Sequence, residues 1–219
     1  DSEAAAFFDA VIEVCRGLES YAEHHREHAL ALARDEHDTT RREELLEIAR
    51  IASRVPRYPA ETFREGLQSI FSAQIALNLE SLDNSVSPGR LDQLLWPLYV
   101  ADLRDGRIDR ARAFELLGCF AVKMSEIVPI FSRRVTRFHG GMFNGQVVVV
   151  GGTDDRGNDA TNELSHLFVA LMDKLRTRQP NYHARLHAGA PPEFRARIAR
   201  SLALGSVSPA VYNDEVIVP

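Results

Sequence analysis

One stretch decides how the second half of the chain folds: Gln146-Val-Val-Val-Val-Gly-Gly-Thr-Asp-Asp-Arg-Gly-Asn-Asp159. Its β-branched run, 146–150, predicts a strand that is buried on both faces, and the glycine- and aspartate-rich residues after it predict a turn. The expected elements then alternate: helix 160–176, strand 182–186, helix 192–204 with Gly205 at its C-terminal end, and a strand-like segment 211–218 interrupted at 213–215. This alternation predicts parallel strands joined by crossover helices, an α/β fold.

The glycine-rich segments 138–145 and 151–159, on either side of the predicted strand, contain neither GxGxxG nor GxxxxGK[ST]. They therefore do not predict a phosphate-binding loop. Four residues of the second segment have side chains that bind calcium in other proteins: Asp154, Asp155, Asn158 and Asp159. Their spacing lacks the alternate ligands and the closing glutamate of a calcium loop. A turn in which Asn158 or Asp159 caps the helix 160–176 is the favoured interpretation.

The first half of the chain has helical periodicity instead. Helices are predicted over 4–34, 39–53, 62–81, 88–104 and 109–128. Thr39 or Thr40 would cap the second helix, with Leu45, Leu46, Ile48 and Ala49 as its apolar face, and Asp109 would cap the fifth. The third, Thr62 to Ser81, is apolar on most of its surface, which predicts that it is buried. The fourth should be broken near Pro97.

A polar break, 81–87, separates the third and fourth helices, and Pro88-Gly89 follows it. Serine, asparagine and aspartate side chains bond their own backbone and interrupt helices. One interpretation is a helix–turn–helix with Ser87 as N-cap and Pro88 at the first helical position. The other is that the break places polar groups between apolar walls and forms a small-molecule pocket. The local pattern leaves both open.

The composition excludes several classes of protein. The net charge is −5, with 26 basic and 31 acidic residues mixed along the chain, so a nucleic-acid-binding surface is not expected. No apolar run reaches the ~18 residues of a membrane span. A signal peptide is not expected, because the first residues, DSEAAAFF, lack a basic start and a long apolar stretch. Cys15 and Cys119 are interpreted as small buried apolar residues of a reducing cytoplasm. Because the chain lacks an initial Met and ends on an apolar segment, we expect it to be a piece of a longer polypeptide.

The first helix contains His24-His-Arg-Glu-His28, which matches the H-x-x-E-H zinc signature. A zinc hydrolase would use His24 and His28 as ligands, Glu27 as base and a third ligand from elsewhere. However, His25 lies on the apolar stripe of the helix, which leaves His24 and His28 on its flank. The surrounding charges are typical of a solvated face, so the zinc hydrolase is kept only as an alternative.

Six stretches in register resemble the glycyl radical enzymes of the pyruvate formate-lyase family. They are PAETFREGLQSIFSAQIALNLES (59–81), SVSPGRLDQLLWPLY (85–99), GRIDRARAFELLGC (106–119), VVVVGGTDDRGNDATNELSHLFVALM (147–172), RQPNYHARLH (178–187) and YNDEVIVP (212–219). The resemblance covers nearly the whole chain. It implies a helix-rich α/β fold that forms part of a ten-stranded barrel, built from two five-stranded parallel half-barrels packed antiparallel. Residues 1–219 would be part of one such domain, with 1–135 its helical portion and 136–219 its alternating strand–helix portion.

The resemblance also implies a chemistry. Members of the family carry a stable glycyl radical, installed by a separate radical-SAM activating enzyme, and pass it to a cysteine whose thiyl radical abstracts hydrogen from the substrate. Elimination, decarboxylation or C–C cleavage follows, including formate C-acetyltransferase chemistry. The family's cysteine loop and radical glycine lie beyond the segment that matches 212–219, so neither Cys15 nor Cys119 is expected to take the thiyl role and the chain alone should be inactive. No bound cofactor is expected; the implied partners are a small-molecule substrate, the remainder of the parent polypeptide, the activating enzyme and a second copy in a homodimer, all in the cytoplasm.

The resemblance implies four substrate-contacting residues in this chain: Asn84, Ser85, Asn213 and Asp214. In many dehydratase-type members the polar break reads Gly-His-Ser, whereas here it reads Asp83-Asn84-Ser85, and Gln74 replaces a second histidine.

Asparagine and glutamine orient a ligand but do not carry protons near neutral pH. Acid–base work would therefore come from elsewhere, such as a glutamate of the missing cysteine loop, and a glycerol- or diol-dehydratase is disfavoured. For Asn213 and Asp214 a strand-end turn is an equal alternative. The rival to an enzyme is a non-catalytic homologue that serves as a binding or assembly subunit.

Overall fold

The computed structural model describes residues 2–80, 86–127, 132–139, 145–205 and 208–218. The chain forms two compact units, Asp1–Ala76 and Leu77–Pro219. The helices that begin in the first unit are α1 (Ser2–Asp35), α2 (Thr39–Arg54) and α3 (Phe63–Glu80). The second unit contains α4 (Leu91–Leu94), α5 (Trp96–Arg104), α6 (Arg110–Ser125), α7 (Arg133–His139), β1 (Val147–Gly151), α8 (Glu163–Leu175), β2 (Asn181–Leu186), α9 (Pro192–Ala203), β3 (Ala210–Asn213) and α10 (Asp214–Ile217).

In the first unit, α1 and α2 pack together along the C-terminal half of α1. The buried apolar residues of the two helices are Ala22, Ala29, Ala33, Leu45, Ala49 and Ile51. The predicted apolar face of α2 is therefore only partly right, because Leu46 and Ile48 are exposed. The predicted cap is also wrong: Asp38 caps α2, since its carboxylate accepts a 2.8 Å hydrogen bond from Arg41 N and precedes both threonines.

A capping box opens α3. Thr62 Oγ1 accepts from Glu65 N at 3.2 Å, while the Glu65 carboxylate accepts from Glu61 N at 2.9 Å and Thr62 N at 3.2 Å. Glu65 is buried and also accepts a 2.7 Å hydrogen bond from Arg50. The prediction that this helix is buried is wrong for its C-terminal turns, since Leu77 and Leu79 are 44% and 75% exposed.

The second unit is built on a parallel sheet of order β1-β2-β3, as the alternating pattern predicts. Val150 pairs with Ala184, and Ala184 with Val211. The helices α8 and α9 are the crossover connections, and α8 packs on α6, α9, α4 and β1. The predicted burial of the first strand on both faces is wrong: Val148 and Val150 are buried, whereas Val147 and Val149 on the opposite face are only half-buried.

The last residue of the polar break, Ser87, and Gly89 after it are hydrogen-bonded to β1. Val149 N donates to Gly89 O at 2.9 Å, Gly89 N donates to Val147 O at 3.3 Å, and Val147 N donates to Ser87 Oγ at 3.2 Å. The fourth helix therefore does not begin at Pro88 but at Leu91, because the backbone before it is engaged by β1. Its interruption before Pro97 is confirmed, since α4 ends at Leu94 and α5 starts at Trp96.

Further boundaries and burials differ from the sequence prediction. Asn162, rather than Asn158 or Asp159, caps α8, because Asn162 and Ser165 form a reciprocal capping box. The third strand ends at Asn213, and the residues after it form the short helix α10 instead of more strand.

The two cysteines are exposed on α1 and α6, so the prediction that they are buried is wrong. The cap of α6 at Asp109 is confirmed. The C-cap of α9 is Leu204, and Gly205, the predicted cap, is the next residue, with a φ of 73°. Among the residues that the structure describes, no helix has the length and hydropathy that a membrane span requires.

Candidate active site

The carboxyl ends of the three parallel strands meet at one edge of the sheet. In α/β proteins with parallel strands, ligand sites are commonly built from the loops at this edge. Three short segments form it: 151–153 at the end of β1, 187–188 after β2 and 213–215 at the end of β3. We refer to these segments and the side chains that contact them as the carboxyl edge.

Arg90 and Asp92 reach the carboxyl edge from the start of α4. Asp92 is fully buried, and its Oδ2 accepts hydrogen bonds from Gly151 N at 2.7 Å and from Ser165 Oγ at 2.5 Å. Burial raises the pKa of Asp92, and the hydrogen bonds from Ser165 and Gly151 oppose that rise without cancelling it. The Arg90 guanidinium donates to Thr153 O at 2.8 Å and to Gly151 O at 2.9 Å. Both side chains thus fix the backbone that leaves β1.

Two consecutive glycines allow this close packing. Gly151 and Gly152 have φ values of 71° and 86°, a region in which other residues are strained. A Cβ at Gly152 would lie 2.8 Å from Arg185 Nε and 2.9 Å from Asp214 Oδ2. A Cβ at Gly151 would lie 2.7 Å from the Phe194 ring. The glycines are therefore needed for both their backbone conformation and their lack of a side chain.

Asp214 connects all three strand ends. Its carboxylate receives Arg185 Nε at 2.7 Å and Arg185 Nη2 at 3.0 Å from β2. It also receives Thr153 N at 2.8 Å and Thr153 Oγ1 at 3.2 Å from the segment after β1. Burial by itself raises the pKa of Asp214, but the hydrogen bonds from Arg185 and Thr153 outweigh it and lower the pKa below its ordinary value. Asp214 is therefore ionised at neutral pH.

A second set of contacts joins the loops beyond the strands. His187 Nε2 lies 3.0 Å from Asp159 Oδ1, which links the segment after β2 to the loop that leads to α8. Ala188 N donates to the Glu215 carboxylate, and Asn213 Oδ1 accepts from Glu215 N at 3.2 Å. Most polar groups of the carboxyl edge are thus bonded to one another. Such an arrangement is suited to holding loops in place.

The less buried face of the sheet also carries polar side chains. His183 and Arg185 lie two residues apart on β2 and share this face with Tyr212, which pairs with Arg185 in the sheet register. The His183 and Tyr212 rings are 5.1 Å apart. Burial lowers the pKa of His183, which favours the neutral imidazole at pH 7. A neutral imidazole both donates and accepts a hydrogen bond.

The predicted substrate-contacting residues fall in two places. Asn84 and Ser85 lie outside the described residues. Asn213 and Asp214 lie together at the carboxyl edge, with Asn213 exposed and Asp214 buried. Gln74, which is predicted to replace a family histidine, is buried in α3.

Sequence reasoning missed Arg90, Asp92 and Arg185 as parts of this site. Their positions could have revealed them, because Arg90 and Asp92 lie among apolar residues at the start of a short helix and Arg185 lies on the central strand. Charged residues in such surroundings are seldom buried without a partner.

The zinc alternative finds no support at the first helix. His24 and His28 are exposed. Within residues 2–80, 86–127, 132–139, 145–205 and 208–218, no group of three or more His, Cys, Asp or Glu side chains is placed to hold a metal ion.

Comparison with known proteins gives consistent matches over the whole chain. A family model described as pyruvate formate lyase-like matches residues 1–219. The isethionate sulfite-lyase of Nitratidesulfovibrio vulgaris is 36% identical over 219 residues, which are 99% of this chain and 26% of that protein. The chain thus spans about a quarter of the length of this curated relative.

Solved structures match equally well. A structure from Roseburia inulinivorans concerned with 1,2-propanediol dehydration matches with a TM-score of 0.95 and 35% identity, covering 100% of this chain and 26% of that one. A glycyl radical enzyme from Archaeoglobus fulgidus matches with a TM-score of 0.86 and 40% identity, covering 91% and 26%. The resemblance found in the six sequence stretches is therefore confirmed. This chain belongs to the pyruvate formate lyase-like family of glycyl radical enzymes.

Proposed function

We propose that residues 1–219 form part of the catalytic barrel of a glycyl radical enzyme of the lyase or dehydratase type. The observation that carries the proposal is the match to the propanediol-dehydration structure over the entire chain, with a TM-score of 0.95 at 35% identity. The three-stranded parallel sheet would be part of one five-stranded half-barrel, and the strand order and crossover helices support that placement. The remaining strands would come from the rest of the parent polypeptide.

The radical chemistry would be supplied from outside these residues. A glycyl radical, installed by a radical-SAM activating enzyme and relayed to a cysteine, would abstract hydrogen from the substrate. Cys15 and Cys119 do not fit the relay role, because both are exposed on helices rather than held at the carboxyl edge. We therefore expect residues 1–219 to be inactive alone and to act within the longer polypeptide, as a cytoplasmic enzyme that forms a homodimer.

The residues of this chain would bind and orient the substrate. Asn213 at the end of β3 exposes its side-chain amide at the carboxyl edge, which supports its predicted contact with substrate. The contacts predicted for Asn84 and Ser85 remain predictions. Asparagine and serine side chains hydrogen-bond hydroxyl and anionic groups without donating a titratable proton near neutral pH. They would therefore hold a small polar substrate while the proton transfers are made by groups elsewhere in the barrel.

The relatives suggest the first substrates to test. One is a lyase that acts on isethionate, and another structure concerns 1,2-propanediol dehydration. Both small molecules carry a hydroxyl group beside the carbon from which a group leaves. We propose that the substrate of this protein is likewise a small hydroxylated molecule that undergoes elimination.

Two experiments test the proposal. The first is the intact mass of the natural gene product, with peptide mapping beyond Pro219; we expect peptides that continue into a cysteine-containing loop and a C-terminal glycyl radical motif. The second treats the anaerobic full-length protein with a radical-SAM activating enzyme and S-adenosylmethionine. A glycyl radical signal in electron paramagnetic resonance, together with turnover of isethionate, is expected; 1,2-propanediol is assayed alongside it as the substrate that Asn84 and Gln74 disfavour. A natural chain without the cysteine loop and the radical glycine would refute the proposal and favour a binding or assembly role.

A further inference from the structure

We propose that Arg185 and Asp214 form a positioning pair that holds the three strand ends of the carboxyl edge in the arrangement the radical reaction requires. The inference rests on the proposed function, because it concerns the same site. It assigns the pair an indirect role in which neither side chain contacts substrate. The nearest residue through which the pair would act is Asn213, the neighbour of Asp214 and a predicted substrate contact.

The first support is the number of strand ends that meet at one carboxylate. Asp214 accepts two hydrogen bonds from Arg185 on β2 and two from Thr153 after β1, while itself following β3. The side chain of Asp214 is 3% exposed and that of Arg185 17% exposed. A planar guanidinium that binds both oxygens of a carboxylate fixes orientation as well as distance.

The second support is the lack of space around the pair. A Cβ at Gly152 would approach both Arg185 and Asp214 to less than 3.0 Å. Arg90 holds the same backbone from its other side, through the carbonyls of Gly151 and Thr153. The pair therefore lies between the segment 151–153 and strand β2, with no free space beside it. A change in the geometry of the pair would shift the backbone of these segments.

The third support is the position of Asp214 in the chain. It is the first residue of α10, and Val218 N donates to Asp214 O at 3.0 Å. Glu215, the next residue, binds Ala188 N after β2. The backbone that carries Asn213 is thus anchored immediately after the end of β3, which sets where the Asn213 amide points.

The pair is poorly suited to direct contact with substrate. The Asp214 oxygens already accept four hydrogen bonds, and a substrate group would have to displace Arg185 or Thr153 to reach them. Displacement of a charge-assisted, buried pair costs more than a new hydrogen bond returns. A positioning role requires no such displacement, because the hydrogen bonds of Asp214 to Arg185 and Thr153 remain in place.

The test uses the full-length activated enzyme with the single variants Asp214→Asn and Arg185→Lys and the double variant. Lysine keeps the charge of Arg185 but loses its two-pronged contact. The matched control is Asp155→Asn, the same change at an exposed aspartate of the loop after β1. Four quantities are measured: kcat and KM with isethionate as the substrate, the yield of glycyl radical, and the hydrogen–deuterium exchange of the peptide 213–218.

We expect each single variant to lower kcat by ~10- to 100-fold, because small displacements of binding groups cost that much. KM should stay within about threefold of the wild type, since the pair would not bind substrate. The radical yield should be unchanged, and exchange over 213–218 should be faster. The double variant should be no worse than the poorer single variant, because both changes break one interaction. The Asp155→Asn control should match the wild type in all four.

Three results would overturn the inference. They are a rise in KM at unchanged kcat, which would mean direct substrate contact; independent, multiplicative losses in the double variant; and unchanged exchange over 213–218. If Asp214→Asn does not fold, the milder Arg185→Lys still tests the same pair. A wild-type enzyme that forms no radical and turns over no substrate would refute the proposed function, whereas the exchange measurement would still decide whether the pair orders this edge.

Discussion

Arg90 and Asp92 bind opposite sides of one residue: the Arg90 guanidinium donates to the carbonyl of Gly151, and the Asp92 carboxylate accepts from its amide. Only Leu91, which is fully buried, lies between them in sequence. The short helix α4 is therefore held to the end of β1 by the side chains of Arg90 and Asp92, with the buried Leu91 between them. This contact links the residues after the polar break to the carboxyl edge.

Replacement of Asp92 by alanine should loosen this contact. The change leaves Gly151 N and the Ser165 hydroxyl without their buried acceptor, which costs about 3 kcal/mol. We expect that loss in the free energy of opening of 147–153, measured by hydrogen exchange in the full-length protein. The exposed Asp155→Ala should change it by less than about 0.5 kcal/mol. Equal effects of the two changes would show that Asp92 does not hold the strand.

A comparison of two glycines isolates the effect of crowding. Gly152 and Gly157 both have positive φ, 86° and 78°. A Cβ at Gly157 would meet nothing within 4 Å, whereas one at Gly152 would clash with Arg185 and Asp214.

Gly157→Ala should therefore cost only the backbone strain of about 1 kcal/mol. Gly152→Ala should cost at least about 2 kcal/mol more, by analogy with overpacked cores. The free energy of unfolding of the full-length variants, followed by urea titration, checks this difference. Similar costs at both positions would contradict the packing described around Gly152.

The ion pair of Asp214 predicts a dependence of stability on pH. The folded pKa of Asp214 lies below its ordinary value of 3.8, so the unfolded state binds the proton more readily. The pair's contribution is complete above pH 3.8 and is lost as the pH falls through the folded pKa. The difference in unfolding free energy between the wild type and Asp214→Asn should be constant from pH 7 to about pH 5 and should shrink below pH 4. If this difference in unfolding free energy instead grew as the pH fell, the ion pair would be refuted.

In the first unit, the capping carboxylate of α3 can be tested separately. Glu65→Gln keeps the shape of a buried side chain but removes the charge that Arg50 and two backbone amides contact. A loss of about 2 kcal/mol in the opening free energy of 61–72 is expected, since hydrogen bonds to a charged group are stronger than neutral ones. The surface pair Arg41–Glu44 provides the control, and Glu44→Gln should cost less than about 0.5 kcal/mol.

The sequence predicted the elements whose causes are local. Periodicity gave α1, α2, α6 and the strand–helix alternation of the sheet, because each depends on neighbours a few residues apart. Periodicity failed where contacts between residues distant in the sequence determine the local structure. Gly89 was assigned to a helix because its pairing with β1 involves Val147 and Val149, nearly sixty residues later.

The same reason explains what was missed at the carboxyl edge. Arg90 binds Thr153 across 63 positions, and Asp92 binds Ser165 across 73. No local stretch of sequence contains both partners of either contact. Asn213 and Asp214 were singled out only because they fall in a stretch that resembles the family, and the Arg185 partner of Asp214 became visible only in the structure.

The strand β3 has a practical consequence for anyone who produces these residues alone. Within the described part of the chain it pairs only with β2, so its other side is an open edge with backbone donors and acceptors. Val211 and Tyr212 on it are 43% and 40% exposed. Apolar strand edges that nothing covers are templates for intermolecular β-pairing. A recombinant fragment limited to this chain should therefore aggregate as its concentration rises, and a lysine at Val211 should delay that aggregation.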